Sequence, residues 1–206
     1  ISKDKIFFSR NKYQYNMELL KTTLITVCMI VGVYSYAQDY AAIQHAFDKS
    51  ISYESDKSYD EAIAVLKPYV VNATYEVNMR LGWLYYLNGK HAESVSYYNK
   101  AIAQMPAAVE PLLGVCYPLG ELKKWSELTV TYKKILAIDP KNTTANYRLG
   151  LSAYYNKDYV SAKKYFDVVL GLYPMDYNTL LMNAWTNYFL GNKNIAKIQF
   201  NKVLMV

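Results

Sequence analysis

Two histidines and two cysteines are all that this 206-residue chain offers for metal binding or thiol chemistry, and none stands in a working pattern. His45 and His91 are isolated, with no HExxH run and no cysteine pair beside either, so ligands at metal-binding spacing are missing. No Gly-rich phosphate loop and no Gly-x-Ser-x-Gly elbow occurs. Asp56 and the pair Asp60-Glu61 read as charges in a first helical turn, favoured by the helix dipole, rather than as an acid and its base. The expectation is a protein that is not an enzyme, with no catalytic residue, no metal and no cofactor.

The order in the chain lies instead in a 34-residue period. Tyr75–Ala108, Val109–Asn142, Thr143–Asp176 and Tyr177–Val206 align so that Leu81-Gly82, Val115-Cys116, Leu149-Gly150 and Asn183-Ala184 share two slots. Tyr98, Tyr132, Phe166 and Phe200 share another; Ala101, Ile135, Val169 and Val203 share the next. Pro106, Pro140 and Pro174 close three successive units. Such a fixed period is the mark of stacked helical hairpins. Within Glu76–Asn88 the apolar residues Val77, Leu81, Leu84 and Tyr85 recur at helical steps, as do Val95, Tyr98, Ala101 and Ile102 within Ala92–Gln104. Asn88-Gly89-Lys90 supplies the turn between them, with a glycine free to take left-handed angles, and Gly191 holds the equivalent place later.

Gly82, Cys116, Gly150 and Ala184 fall where the two helices of a hairpin approach most closely, and the aromatic slot fills the space between units. One hairpin cannot bury its apolar faces alone, so stacking must supply the core. Val109–Asn142 is the irregular unit. Pro118, flanked by Gly114 and Gly120, falls inside its first helix, which is expected to be kinked or shortened.

These residues resemble the tetratricopeptide-repeat family. Thr143–Asp176 matches best, through Leu149-Gly150, Tyr154, Tyr159, Ala162, Phe166 and Pro174. Tyr75–Ala108 follows, with Ser94 where alanine is usual, and Tyr177–Val206 matches through Ala196 and Phe200. Ser58-Tyr59-Asp60-Glu61-Ala62-Ile63 is similar to the opening of a second repeat helix, which suggests an earlier, slightly short unit that contains it, with its first helix near Ala41–Tyr53. The resemblance implies an all-α fold, a right-handed α-solenoid of antiparallel helical hairpins. Its units run about 41–74, 75–108, 109–142, 143–176 and 177–206, the last truncated, within a solenoid spanning 38–206.

Members of this family receive partner segments on the concave face, lined by the first helix of each unit. Carried over, those slots are Met79, Arg80, Trp83 and Tyr86; Glu110, Leu113 and Tyr117; Tyr147, Arg148, Leu151 and Tyr154; and Asn178, Met182, Trp185 and Tyr188. Tyrosine, tryptophan and arginine are the usual anchors of interface energy, and Arg80 and Arg148 suit a carboxylate on an extended peptide. The same aromatics also serve to pack one unit on the next, so a structural role competes with a binding one. The lysine and asparagine pattern of the chaperone-tail clamp is not matched.

Residues 17–37 read as a signal peptide: Lys21 is basic, Leu24–Val33 apolar, and Ser35-Tyr36-Ala37 ends in small residues before a cleavage position. Retention of that stretch as an anchor is the alternative, although it is short for a span of about 20 residues. Ile25-Thr26-Val27-Cys28 fits a lipobox poorly because Val27 is large, and lipidation is rejected. Residues 1–16 precede the first start methionine and read as upstream or leader sequence. Cleavage after Ala37 leaves Cys116 as the one remaining cysteine, expected to be buried and inert. Asn72-Ala73-Thr74 and Asn142-Thr143-Thr144 match the glycosylation pattern, which has meaning only in a eukaryotic source.

The formal net charge is +6, of which residues 1–37 carry half. Lys123-Lys124, Lys133-Lys134 and Lys163-Lys164 look like solvated helix faces, so no nucleic acid is expected as partner. The reading that results is an exported, periplasmic or envelope-associated scaffold that binds a protein or peptide, with no small-molecule substrate evident and envelope proteins among its candidate partners. Two others stay open: the recognition arm of a larger exported protein whose catalytic or membrane-barrel domain lies beyond residue 206, and a self-associating structural subunit.

Overall fold

The computed structural model describes residue 21 and residues 40–71 and 73–205. Lys21 apart, the expected leader, signal peptide and cleavage position lie outside the described residues, as do Cys28 and Asn72. Among the described residues there are helices and no strands: α1 over 40–55, α2 (Tyr59–Ala64), a 3-10 turn (Lys67–Tyr69), α3 (Tyr75–Leu87), α4 (His91–Gln104), α5 (Val109–Glu121), α6 (Trp125–Ile138), α7 (Thr143–Tyr155), α8 (Tyr159–Leu172), α9 (Tyr177–Phe189) and α10 (Lys193–Val203). Each helix packs on its neighbours in sequence, α3 on α4, α4 on α5 and so on, with α3 also touching α5 and α7 touching α9. The fold is an all-α solenoid of helical hairpins.

The punctuation of the sequence explains the hairpins. After α3, the Gly89 N–H reaches the Tyr86 carbonyl and the Lys90 N–H the Tyr85 carbonyl, closing a Schellman turn with Gly89 at φ 71°. The same pair of bonds recurs after α5, α7 and α9. Gly191 takes the left-handed position as expected, but Lys123 and Lys157 take it too, at φ 56° and 60°. At the other end of each hairpin, Met105, Asp139 and Tyr173 leave the helical region ahead of Pro106, Pro140 and Pro174, as residues before proline prefer. Asn142, Asp158 and Asp176 then cap α7, α8 and α9 by accepting from the N–H groups of Ala145, Ser161 and Thr179.

The small residues do what their spacing implies. A Cβ on Gly82 would meet the Tyr98 ring at 2.9 Å, and one on Gly114 would meet it at 2.3 Å. The Tyr98 ring is therefore wedged between α3 and α5, joining one hairpin to the next. Gly150 lies equally close to Phe166, at 2.6 Å. Ser94, the departure from alanine, is fully buried and donates its hydroxyl to the Gly82 carbonyl at 2.7 Å. Asn183, in the slot of Leu81 and Leu149, is buried and bonded to Asp167 at 3.0 Å, while Asn187 beside it reaches Gln199 at 3.0 Å. The last hairpin thus replaces part of the apolar core with a satisfied amide network.

One expectation needs amendment. α5 is not shortened by Pro118: it keeps 13 residues, the same as α3, α7 and α9. Pro118 stands in the last turn, where its missing N–H removes one bond while the closing Schellman bonds still form. In the first hairpin it is the second helix that is cut short. α2 has only 6 residues, and Pro68 turns the chain into the 3-10 segment that follows.

Candidate protein-binding surface

The residues carried over from the repeat pattern do not form one uniform surface. On the α3 side, Trp83, Tyr86 and Tyr117 form a connected aromatic group: Trp83 to Tyr86 at 5.6 Å, Tyr86 to Tyr117 at 5.6 Å and Trp83 to Tyr117 edge-on at 6.4 Å. Met79 lies against the cluster around Tyr98. On the α9 side, Tyr154 meets Phe189 at 6.1 Å, and Trp185 meets Tyr188 at 5.9 Å and Phe200 at 5.0 Å. Tyr117, Trp185 and Tyr188 are exposed; Tyr147 is half-buried against Phe166, and Met182 is half-buried. Burial raises the hydroxyl pKa of Tyr147 and Tyr154, so both stay neutral donors.

The two arginines occupy the same repeat slot and have different surroundings. Arg80 is tied to α1: its Nε donates to the Ser50 hydroxyl at 2.9 Å and its Nη1 pairs with the Glu54 carboxylate. Trp83 joins the clasp by donating its indole N–H to Glu54 at 2.8 Å. The Arg80 and Glu54 side chains are only 14% and 27% exposed, so this pair holds α1 against α3. Arg148 is exposed and makes no hydrogen bond or ion pair with other described residues. In the slot between them α5 has Gly114, where the Tyr98 ring leaves no room for a side chain.

Arg148 lies where two clefts adjoin. One, of about 440 Å³, is bordered by Tyr86, Tyr117, Gly120 and Glu121 on one side and by Trp125, Tyr132 and Arg148 on the other. The second, of about 380 Å³, is lined by Trp125, Leu128, Tyr132, Leu151 and Tyr155, with Arg148 its one charged residue. Both open because α6 packs on α7 more sparsely than α4 does on α5 or α8 on α9. Trp125 and Tyr155 lie outside the family's inward slots, so sequence reasoning passed over them. A large aromatic as the first residue of a second helix, Trp125 beside Tyr159 one repeat later, was the available signal.

Cys116 fits its expectation: the thiol is buried, donates to the Leu112 carbonyl at 3.1 Å and is pushed up to about 12 by burial, which leaves no thiolate at neutral pH. Among the described residues no group of three His, Cys, Asp or Glu side chains could hold a metal, and no helix is long and apolar enough to cross a membrane.

Comparison with known proteins agrees with this geometry. Tetratricopeptide-repeat family models match residues 75–108, which are α3 and α4, and residues 144–174, within α7 and α8. These two segments are tetratricopeptide repeats. No curated protein sequence matches it. A structure of MamA AMB-1 superposes with a TM-score of 0.66 at 20% identity, covering 80% of this chain and 91% of that one. A further MamA crystal structure gives 0.68 at 15% identity, with 80% and 91% covered. A tetratricopeptide repeat protein from Parabacteroides merdae ATCC 43184 gives 0.70 at 20% identity over 80% of this chain and 66% of its own. At these identities the likeness is one of fold.

Proposed function

We propose that this chain is a non-catalytic, exported scaffold that binds a protein or peptide segment through the concave face formed by α3, α5, α7 and α9. The observation that carries the reading is the exposed aromatic surface of those helices, Tyr117, Trp185 and Tyr188 with Arg148 unpaired among the described residues. Repeats of this kind serve protein interaction, and rigid aromatic anchors beside an arginine are what binding surfaces use. The signal-peptide pattern over 17–37 supports export, and with it partners in the cell envelope.

Capture from source-cell envelope fractions tests the binding reading, with the full chain, a Tyr117→Ala/Trp185→Ala variant and a Lys164→Ala control as baits. The expected result is a partner retained by the wild type and the control and lost from the aromatic variant. Equal capture by all three contradicts the concave face as the site. N-terminal sequencing of the protein from its source cell tests export: a start at Gln38 is expected, and an uncut start at Met17 in the cytoplasm overturns it.

A further inference from the structure

Successive hairpins place three residues in equivalent positions at each seam: the penultimate residue of the first helix, the first residue of the second helix, and the last residue of the next hairpin's first helix. At the α8–α9 seam these are Tyr154, Tyr159 and Phe189. Their rings form a closed set: Tyr159 stacks on Phe189 at 4.9 Å and 11°, and Tyr154 meets Tyr159 at 5.6 Å and Phe189 at 6.1 Å, both edge-on. At the α6–α7 seam, 34 residues earlier, the same positions hold Gly120, Trp125 and Tyr155. Here the first ring is missing. A Cβ placed on Gly120 would meet nothing within 4 Å. Trp125 and Tyr155 both line the second cleft, yet their rings do not touch, and they stand 61% and 74% exposed. Gly120 borders the first cleft and Tyr155 the second, while Trp125 and Arg148 border both; Arg148 is the one charge on the second cleft, and Glu121 lies with it on the first.

We propose that the α6–α7 seam is the anchor pocket of the concave-face site and takes an aromatic side chain from an extended partner segment, with an acidic residue next to it on the partner bound by Arg148. This rests on the concave-face reading above and names its ligand class. The guest ring enters the second cleft and covers Trp125 and Tyr155, standing in for the ring that Tyr154 supplies at the next seam. A cleft of about 380 Å³ falls in the range of small-ligand sites, about 300–1,000 Å³. The adjacent carboxylate follows from charge: Arg148 presents an unused planar donor set, and no acidic side chain lines that second cleft.

The three tryptophans make the test direct, because each indole N–H gives its own NMR signal. The full chain is titrated with the blocked hexapeptide Gly-Gly-Asp-Phe-Gly-Gly and with the Asn-Phe and Asp-Ala versions. The expected result is a saturable shift of the Trp125 signal with Asp-Phe and a Kd raised about tenfold or more by Arg148→Met, by Asp→Asn or by Phe→Ala in the peptide. Trp83, held by Glu54, is expected to stay unmoved. Gly120→Tyr supplies the missing ring from within and is expected to abolish the Trp125 shift while the fold is kept.

An equal response to Asn-Phe overturns the carboxylate contact, and one to Asp-Ala overturns the aromatic anchor. A shift confined to Trp185 overturns the seam pocket but leaves the concave face as the binding surface. No shift of any indole overturns the pocket, and the concave-face reading falls with it only when capture is also unchanged in Tyr117→Ala/Trp185→Ala.

Discussion

The α8–α9 and α6–α7 seams are built from the same repeat positions and end in opposite states. Tyr154, Tyr159 and Phe189 close the first with three mutually touching rings. Gly120, Trp125 and Tyr155 leave the second open, with clefts of about 440 and 380 Å³ on either side of Arg148. The ring absent at Gly120 goes with a sparser packing of α6 on α7. A solenoid joins hairpins through many small contacts, so removing a single ring opens a local cleft without unstacking the array. In such a protein a cleft can open without a loop or insertion, where a glycine stands in a slot otherwise filled by tyrosine.

The two glycines of α5 put that comparison under the strongest strain. Gly114 touches the Tyr98 ring, whereas Gly120 touches nothing. Gly114→Ala forces a Cβ to within 2.3 Å of a buried ring and is expected to cost about 3 kcal/mol, the upper end for overpacking. Chemical denaturation measures it, and a neutral result would mean that Tyr98 does not lock α3 to α5. Next comes Phe189→Ala, which opens the closed seam. About 1–2 kcal/mol is expected to be lost with the ring contacts, and hydrogen exchange is expected to quicken at α8 and α9 first. Uniform quickening along the chain would argue that the ring set is not what holds that seam.

Gly120→Ala reverses the sign. The side chain enters open space and the helix gains about 0.5–1 kcal/mol from reduced backbone entropy in the unfolded chain. A destabilised variant would place a hidden contact at Gly120. The smallest effect is expected at the turn after α7, where Lys157 holds φ 60° in the place that Gly191 fills after α9. Lys157→Gly relieves that strain but adds unfolded-state freedom, so a gain of a few tenths of a kcal/mol is expected from the melting temperature.

Much of the architecture was legible because it rests on local rules. Pro106, Pro140 and Pro174 stop helices wherever they occur, Gly89 and Gly191 take left-handed turns, and Gly82 and Gly150 mark close approaches to Tyr98 and Phe166. Lys123 and Lys157 were not legible as turn centres, since a lysine accepts positive φ only when the packed helices on both sides impose it. Pro118 looked more disruptive in sequence than in place, because one missing bond in a final turn is offset by the buried contacts of the helix. On the candidate surface, the aromatic slots could be read from the repeat, but the roles of the arginines could not. Arg80 and Arg148 are equivalent by spacing, and only the position of Glu54 on α1 turns one of them into a clasp between helices. Likewise the open seam depends on residues in three helices, Gly120, Trp125 and Tyr155, whose joint geometry no single repeat displays.

If the α6–α7 seam is the proposed pocket, binding and stability pull in opposite directions at Gly120, and that makes one measurement decisive. The affinity of the captured partner for the full chain is compared with its affinity for Gly120→Tyr, alongside the melting temperatures of both. The expected result is a variant that melts higher and binds at least tenfold more weakly, because the tyrosine closes the seam the partner enters. Equal affinity in a more stable Gly120→Tyr protein would contradict it and would place the binding site away from the α6–α7 seam.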